Sequence, residues 1–436
     1  MSQATAAPES GIVKKVALSS FLGNFIEWFD YGSYAYYAVI ISAVLFSADD
    51  PDTADLIGTF AVFAISFVMR PIGALFWGSM GDKKGRKWTL SVSIFLMSGA
   101  TFLIGCLPTY AAIGFGAPLL LLLLRMIQGF SAAGEYAGAA TFLAEYAPTK
   151  KRGLYCSLVP ASTAVGLLAA SALAFATTAL LSQEAVLGWG WRIPFLLAGP
   201  LGFIAHYIRT KLEDSPTYQA MQEVVSGEEG DTPHPVRDLF RGHLRELIIS
   251  FGACTLNAVG FYAVLTYLPT YLETAVGMPT GEAQMATNIA LVVYVAFIFI
   301  SGKMSDRFGR KKMLVTACVL FVLLTVPAFM ILNTAQFGLV LLAELALCFI
   351  LTLNDGTLSS YLTETFPTEM RYTGFALSFN LANAIFGGTA PMISTWLIAV
   401  TGSTMSPAWY MVAVALVALV AMALSHENSH KHLDEI

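Results

Sequence analysis

Gly78-Ser-Met-Gly-Asp82-Lys-Lys-Gly85-Arg86-Lys87 recurs, 224 residues further on, as Gly302-Lys-Met-Ser-Asp306-Arg-Phe-Gly309-Arg310-Lys311, identical at six of ten positions. A second pair, Glu145-x-x-Pro148-x-x-x-Arg152 and Glu364-x-x-Pro367-x-x-x-Arg371, is offset by 219. One Gly/Asp/Arg cluster alone reads as a tight turn held by surface charge. Two different motifs repeating at nearly the same offset imply a duplicated unit, one copy in each half of the chain.

What surrounds the motifs is apolar. Of 436 residues 56% are hydrophobic and 12% charged, and the mean hydropathy is +0.67. A soluble domain carries about 25% charged residues, so composition points to a membrane protein. A helix needs about 20 apolar residues to cross a bilayer. Candidate spans fall near 16–46, 55–80, 88–107, 115–145, 153–182 and 190–210, then near 246–273, 284–304, 312–333, 337–363, 372–400 and 407–425. The expected fold is therefore all-α, with twelve transmembrane helices as two six-helix bundles. Residues 1–210 form the first, 211–245 a central loop, 246–425 the second and 426–436 a tail.

The basic residues set the orientation. Lys14 and Lys15 precede span 1, and Lys83, Lys84, Arg86 and Lys87 lie between spans 2 and 3. Lys150, Lys151 and Arg152 separate spans 4 and 5, and Arg209, Lys211, Arg237, Arg241 and Arg245 separate 6 and 7. Lys303, Arg307, Arg310, Lys311 and Lys312 flank the junction of 8 and 9, Arg371 follows span 10, and Lys431 is in the tail. Alternate connections lack Lys and Arg, and the first carries Asp49, Asp50 and Asp52. Of 24 basic residues, 21 thus sit on one side, the exceptions being Arg70, Arg125 and Arg192. The positive-inside rule then places both termini in the cytoplasm.

The first thirteen residues contain one Glu and no Lys or Arg, so the first apolar stretch reads as a retained span, not a cleaved signal. Cys106, Cys156, Cys254, Cys318 and Cys348 show no CxxC spacing and read as small buried hydrophobes. A net charge of −5 implies no nucleic-acid partner. His206, His234, His243, His426, His430 and His432 fall near the basic loops with no Cys within reach, so no metal or cofactor is expected.

Ionisable residues inside a span cost about 2.5–3.5 kcal/mol each at mid-helix, so each needs a reason. Glu27 lies roughly 16 Å into span 1, near the midplane of a ~30 Å core. Ser20, Asn24, Glu27, Tyr31 and Tyr34 recur at helical spacing and share one face, with Asp30 beside it. Arg70 lies roughly 22 Å into span 2, Arg125 roughly 15 Å into span 4, and Glu135 about 15 Å beyond it. Two readings stand: mutually paired charges that fix helix packing, or a working site. In the second, a carboxylate alternating between dry and hydrated settings carries a proton, with Glu27 ahead of Asp30 and Glu135. An Arg keeps its charge and can hold a substrate carboxylate with two hydrogen bonds, which makes Arg125 and Arg70 the anion candidates.

The second half has Asn257, Asn380 and Asn383 near its midplane and Asp355 deeper in span 10. Gly387-Gly388-Thr-Ala-Pro391 is suited to breaking span 11. Trp189, Trp191 and Arg192 read as an interfacial aromatic belt with a snorkelling Arg.

The two loop motifs resemble the signature of the major facilitator superfamily. Gly23-Asn24-Phe-Ile-Glu27-Trp28-Phe29-Asp30-Tyr31, Met69-Arg70-Pro71-Ile-Gly73, Gln128-Gly129-Phe-Ser131-Ala-Ala-Gly134-Glu135-Tyr136 and Trp189-Gly190-Trp191-Arg192-Ile-Pro194-Phe resemble, more narrowly, its metabolite:proton symporter family. Members of that family carry proline and glycine betaine, α-ketoglutarate, citrate or shikimate. The resemblance implies a monomeric, multi-pass protein of a bacterial inner membrane whose bundles rock about a central cavity. Asp82, Arg86, Glu145, Arg152, Asp306, Arg310, Glu364 and Arg371 would be its cytoplasmic gate. Acid–base pairs at hydrated helix ends form and break for about a kcal/mol each, which suits a reversible latch.

For function this leads to a proton-coupled symporter. Two cavity cations against three acids, with Trp28, Phe29 and Tyr31 as an aromatic wall, favour a proline- or betaine-like zwitterion. A mono-, di- or tricarboxylate symporter is the second reading and a proton-driven drug antiporter a remoter one. An intramembrane enzyme would need a nucleophile–base pair or clustered ligands, and none is seen. Osmosensing members often carry a coiled-coil extension, whereas the tail after Ser425 has eleven residues, which leaves osmotic gating open.

Overall fold

A computed structural model describes residues 10–46, 53–215, 218–219, 221, 234–429 and 431–436. Asp49, Asp50 and Asp52, residues 1–9 and 222–233, and His430 lie outside them. Among the described residues the chain is helical, without strands. Long apolar runs demand this, because a helix satisfies its own backbone polar groups where water is absent.

Twelve long rods follow one another. They are α1 Ser10–Tyr36, α2 Thr53–Lys84, α3 Arg86–Gly105, α4 Gly116–Tyr146, α5 Leu158–Leu180 and α6 Ile193–Thr210. Then come α7 Leu244–Tyr262, α8 Thr280–Phe308, α9 Arg310–Leu332, α10 Phe337–Thr363, α11 Arg371–Ala382 and α12 Ser406–Leu424. Followed through their interruptions, so that α7 runs on to Val276 and α11 to Thr401, nine of the described rods are long and apolar enough to cross a membrane. The other three, α1, α2 and α6, hold the buried Glu27, Asp30, Arg70 and Arg209.

In the first half α1 packs on α4, α5 and α6, α2 on α4, and α3 on α4 and α6. In the second, α7 packs on α11 and α12, α8 on α10, and α9 on α10 and α12. The halves meet through α2 against α11 and α5 against α8, with α4 touching α10 and α11. Val16 of α1 shares a core cluster with Tyr146, Leu212, Leu362 and Met422, so the start of α1 and the end of α12 lie together at the end that carries the repeated motifs.

The second of the two glycines common to both motif copies has a backbone reason. Gly85 opens α3 at φ 98° and Gly309 opens α9 at φ 92°, a region closed to side chains bearing a Cβ. Beyond Thr210 the chain folds back on that turn, where Asp214 accepts from the Lys87 N–H at 2.9 Å. Partial burial lifts the Asp214 carboxyl above the usual carboxylate range.

Three rods are interrupted. α1 breaks at Tyr37 before a short helix, Ala38–Leu45. α7 runs into π turns at Ala263–Tyr267 and Leu272–Val276. The Gly387-Gly388 stretch does break its span: α11 ends in a π turn, Asn383–Gly387, and resumes at Ala390–Thr401.

Two sequence expectations are corrected. Trp191 is not in an interfacial belt but fully buried against Phe195, and Arg192 does not snorkel freely. Its Nη1 donates to the carbonyls of Gly105 and Leu107 at 2.8 and 2.7 Å, closing the end of α3. Cys106 is exposed, unlike the other four cysteines.

Candidate functional site

At the motif end, both halves use the same parts against each other. Asp82 accepts from Tyr372 N, Thr373 N and Thr373 Oγ1 at 3.2, 2.9 and 2.7 Å, so it caps the start of α11. Its repeat partner Asp306 accepts from Gly153 N and Leu154 N at 2.7 and 2.9 Å, capping the short helix Arg152–Cys156 that leads into α5. A carboxylate suits such a place because a helix start presents unpaired N–H groups and positive potential. Arg86 joins Asp82 to Glu145, both at 3.1 Å, and Glu145 also holds Arg371 of the other half at 3.1 Å. In mirror fashion Arg310 joins Asp306 and Glu364 at 2.9 and 3.1 Å, and Glu364 holds Arg152 at 2.8 Å. All eight gate candidates are brought together; seven are buried and Asp306 is partly buried. This end is shut.

The opposite end is open. A cavity of about 660 Å³ is lined by Tyr36, Thr178, Thr270 and Gln284 near the far ends of their helices, and deeper by Trp28, Tyr31, Phe67 and Tyr262. The carboxy-terminal wall draws on Leu265, Thr266, Gly388 and Pro391, residues in or beside the interrupted stretches of α7 and α11. Irregular backbone at membrane depth is tolerated where it borders a hydrated space, which accounts for where these turns fall.

The floor of the cavity is aromatic. Trp28 meets Phe261 at 5.0 Å and Tyr262 at 6.2 Å between ring centres, while Phe67 meets Tyr31 at 5.7 Å and Tyr262 at 5.9 Å. Behind it lies Arg70, whose guanidinium carbon sits 4.7 Å from the Tyr31 ring, 5.2 Å from Phe67 and 6.0 Å from Trp28. Its Nη2 donates to Glu27 Oε1 at 2.7 Å. The guanidinium carbon of Arg125 also lies over the same tyrosine, 5.0 Å from the Tyr31 ring and 4.3 Å from Tyr34, and its Nη1 donates to Asp30 Oδ2 at 3.0 Å and Gln128 Oε1 at 2.9 Å. Tyr31 therefore links two buried ion pairs and faces the cavity as well.

The placement of the sequence candidates is uneven. Tyr31 lines the cavity; Glu27, Asp30, Arg70, Arg125 and Glu135 are buried behind it, none more than 1% exposed. Asn383 turns back on its own helix, donating to Phe379 O at 2.9 Å. Of the aromatic wall, Trp28 and Tyr31 reach the cavity and Phe29 is not among its lining residues. Asn24 of the polar stripe is taken up by α5, donating to Val159 O, Ser162 and Thr163 at 2.8 Å each.

Arg209 is a correction. Counted from the sequence among the loop charges, it is buried at the end of α6 and forks onto both oxygens of Glu135, with Nη1 to Oε2 at 2.8 Å. Two floor atoms, Trp28 Nε1 and Tyr262 Oη, and Glu27 Oε2 behind them find no hydrogen-bond partner among the described residues. Tyr262, Phe67 and Arg209 carried no signal in the sequence beyond residue type. Glu344 was also passed over; it is buried near the start of α10 with Thr287 donating to its Oε1 at 3.0 Å.

Comparison with known proteins agrees with this architecture. The family model described as Major Facilitator Superfamily matches residues 20–385 and again 250–434. The chain is 35% identical over 98% of its length to the glycine betaine/proline/ectoine/pipecolic acid transporter OusA of Dickeya dadantii, covering 85% of that protein. It is 34% identical over 98% of its length to the proline/betaine transporter of Escherichia coli, covering 86% of it. Among solved structures, the proton:xylose symporter XylE bound to 6-bromo-6-deoxy-D-glucose superposes with a TM-score of 0.81 at 18% identity, covering 98% of this chain and 99% of that one. XylE from E. coli in its inward open conformation gives 0.66 at 18% identity, covering 97% and 98%.

Proposed function

The chain belongs to the major facilitator superfamily of membrane transporters, and from that premise we propose that it is a proton-coupled symporter importing a small zwitterion, proline- or betaine-like, by alternating access. The observation that carries this reading is charge balance. Glu27 with Arg70, Asp30 with Arg125 and Glu135 with Arg209 make three acids against three bases beneath an aromatic cavity floor. A di- or tricarboxylate would need an excess of cations that this set lacks. A zwitterion brings no net charge, and its ammonium suits the faces of Trp28, Tyr31, Phe67 and Tyr262.

By the positive-inside rule the motif end is cytoplasmic, with twelve spans and both termini inside the inner membrane of a bacterium. The two six-helix bundles, 1–210 and 246–425, rock as units, joined by the stretch 211–245. Asp82, Arg86, Glu145 and Arg371, with Arg152, Asp306, Arg310 and Glu364, form the gate closed in this outward-open state. Glu27 exchanges its Arg70 partner for a proton, and the released guanidinium takes the substrate carboxylate. A monomer suffices for this cycle.

The test is uptake into vesicles holding the purified protein under an imposed proton gradient. Labelled proline or glycine betaine is expected to accumulate uphill, and Glu27→Gln to abolish accumulation. Preferential uptake of α-ketoglutarate, citrate or shikimate would sink the zwitterion assignment; undiminished uphill uptake by Glu27→Gln would remove Glu27 as carrier.

A further inference from the structure

Buried charge is balanced beneath the cavity floor but not in the second bundle. Asp355, on α10, is 1% exposed and has no basic partner among the described residues. Its Oδ1 accepts from Asn257 Nδ2 of α7 at 2.7 Å and its Oδ2 from Tyr294 Oη of α8 at 2.6 Å. The titratable groups facing it are Tyr294 on α8, Tyr136 on α4 and Cys348 on its own helix, none of them a cation. A carboxylate held away from water is costly, by several kcal/mol, unless its charge is compensated. Two neutral donors orient the anion and supply no opposite charge, whereas a bound proton removes the charge.

The position adds a second argument. One turn on from Asp355, Ser359 meets Tyr136 of the other bundle at 3.2 Å between oxygens. Tyr136 stacks on Phe379 of α11 with ring centres 4.2 Å apart, and Asn380 donates across to Ala133 O at 2.9 Å. This seam of α4 against α10 and α11 is part of the contact between halves that must part when the motif end opens. Asp355 then meets water from that side.

We propose that Asp355, gripped by Asn257 and Tyr294, is a second proton-binding site, loaded and unloaded through the α4–α10–α11 seam. On protonation Oδ2 gains the hydrogen, and the Tyr294 hydroxyl turns from donating to Oδ2 to accepting from it. The Asn257 amide keeps donating to Oδ1. No other bond changes. The inference rests on the proton-coupled reading above and places a second ionisable station in the opposite bundle.

Two measurements keep the two ideas separable. Infrared difference spectra of the purified full chain, taken through a pH titration without substrate, are expected to contain a protonated-carboxyl C=O band. That band disappears in Asp355→Asn and persists in Glu27→Gln. If Asp355→Asn does not fold, Tyr294→Phe serves instead, and the midpoint at which the band titrates shifts. In vesicles, Asp355→Asn is expected to lose one proton from the number moved per substrate, and Asp355→Glu to restore it. A titration in which neither Asp355→Asn nor Tyr294→Phe alters any carboxyl band overturns the proposal, as does an unchanged proton ratio in Asp355→Asn. Wild-type uptake indifferent to the proton gradient would instead overturn the coupled reading, while the spectra would still report on Asp355.

Discussion

Arg70 is held by a carboxylate on one side and by three aromatic faces on another, with its Nε 3.4 Å from Tyr31 Oη. Only a planar, delocalised cation can do both, so lysine is a poor substitute here. Arg70→Lys is expected to weaken substrate binding about tenfold, or roughly 1.4 kcal/mol, measured by equilibrium binding to the purified protein. Unchanged affinity would shift the anion site to Arg125, which lies over the rings of Tyr31 and Tyr34 and is tied to Asp30 and Gln128. Residues of this kind were legible in the sequence because a charge in an apolar run is an anomaly. Their partners were not, since nothing in a linear pattern says that Glu27 meets Arg70 and not Arg125. Arg209 escaped for a related reason: standing at a helix end beside a basic loop, it looks like one more orienting charge.

Among the elements, α11 and α7 show where such reading stops. Two adjacent glycines and a proline three residues on announced the break in α11, and the structure has its π turn there. The turns in α7 had only Pro269 as a hint, because the residues 263–267 are ordinary helix and strand formers. These two interrupted helices touch at a point that invites a test. A Cβ on Gly387 would lie 2.7 and 2.9 Å from carbons of the Tyr262 ring, closer than real contacts allow. Gly387→Ala must therefore push Tyr262 toward Trp28 and Phe67 and narrow the cavity floor. We expect normal membrane insertion and thermal stability within about 1–3 kcal/mol of wild type, with substrate affinity clearly reduced. Wild-type affinity in this variant would show that Tyr262 does not form the floor of the binding site.

At the scale of the whole molecule, the fold was legible because duplication repeats itself in sequence. The closed end could not be foreseen, because which state of a two-state machine a chain adopts depends on small differences between contacts at both ends. Glu364 is the place to shift that balance, since it holds Arg152 across the interface and Arg310 within its own half. Glu364→Gln keeps the shape and removes the charge, leaving two buried guanidinia without their shared acid, a loss of about 3–5 kcal/mol for the closed end. A native probe lies beneath this latch. Cys156 is fully buried, packed with Ala144 and Leu433 of the tail. It is therefore inert to maleimide while the end is shut, and becomes reactive when the halves part and water reaches it. In a chain whose other four cysteines are replaced by serine, Glu364→Gln is expected to raise the rate of Cys156 alkylation by a membrane-permeant maleimide at least tenfold. The open cavity at the other end should close in step: a cysteine placed at Thr266, which lines it, should lose reactivity toward an impermeant reagent. Acceleration at Cys156 without that loss at Thr266→Cys would mean local fraying of the latch, and rocking of the two halves would have to be given up.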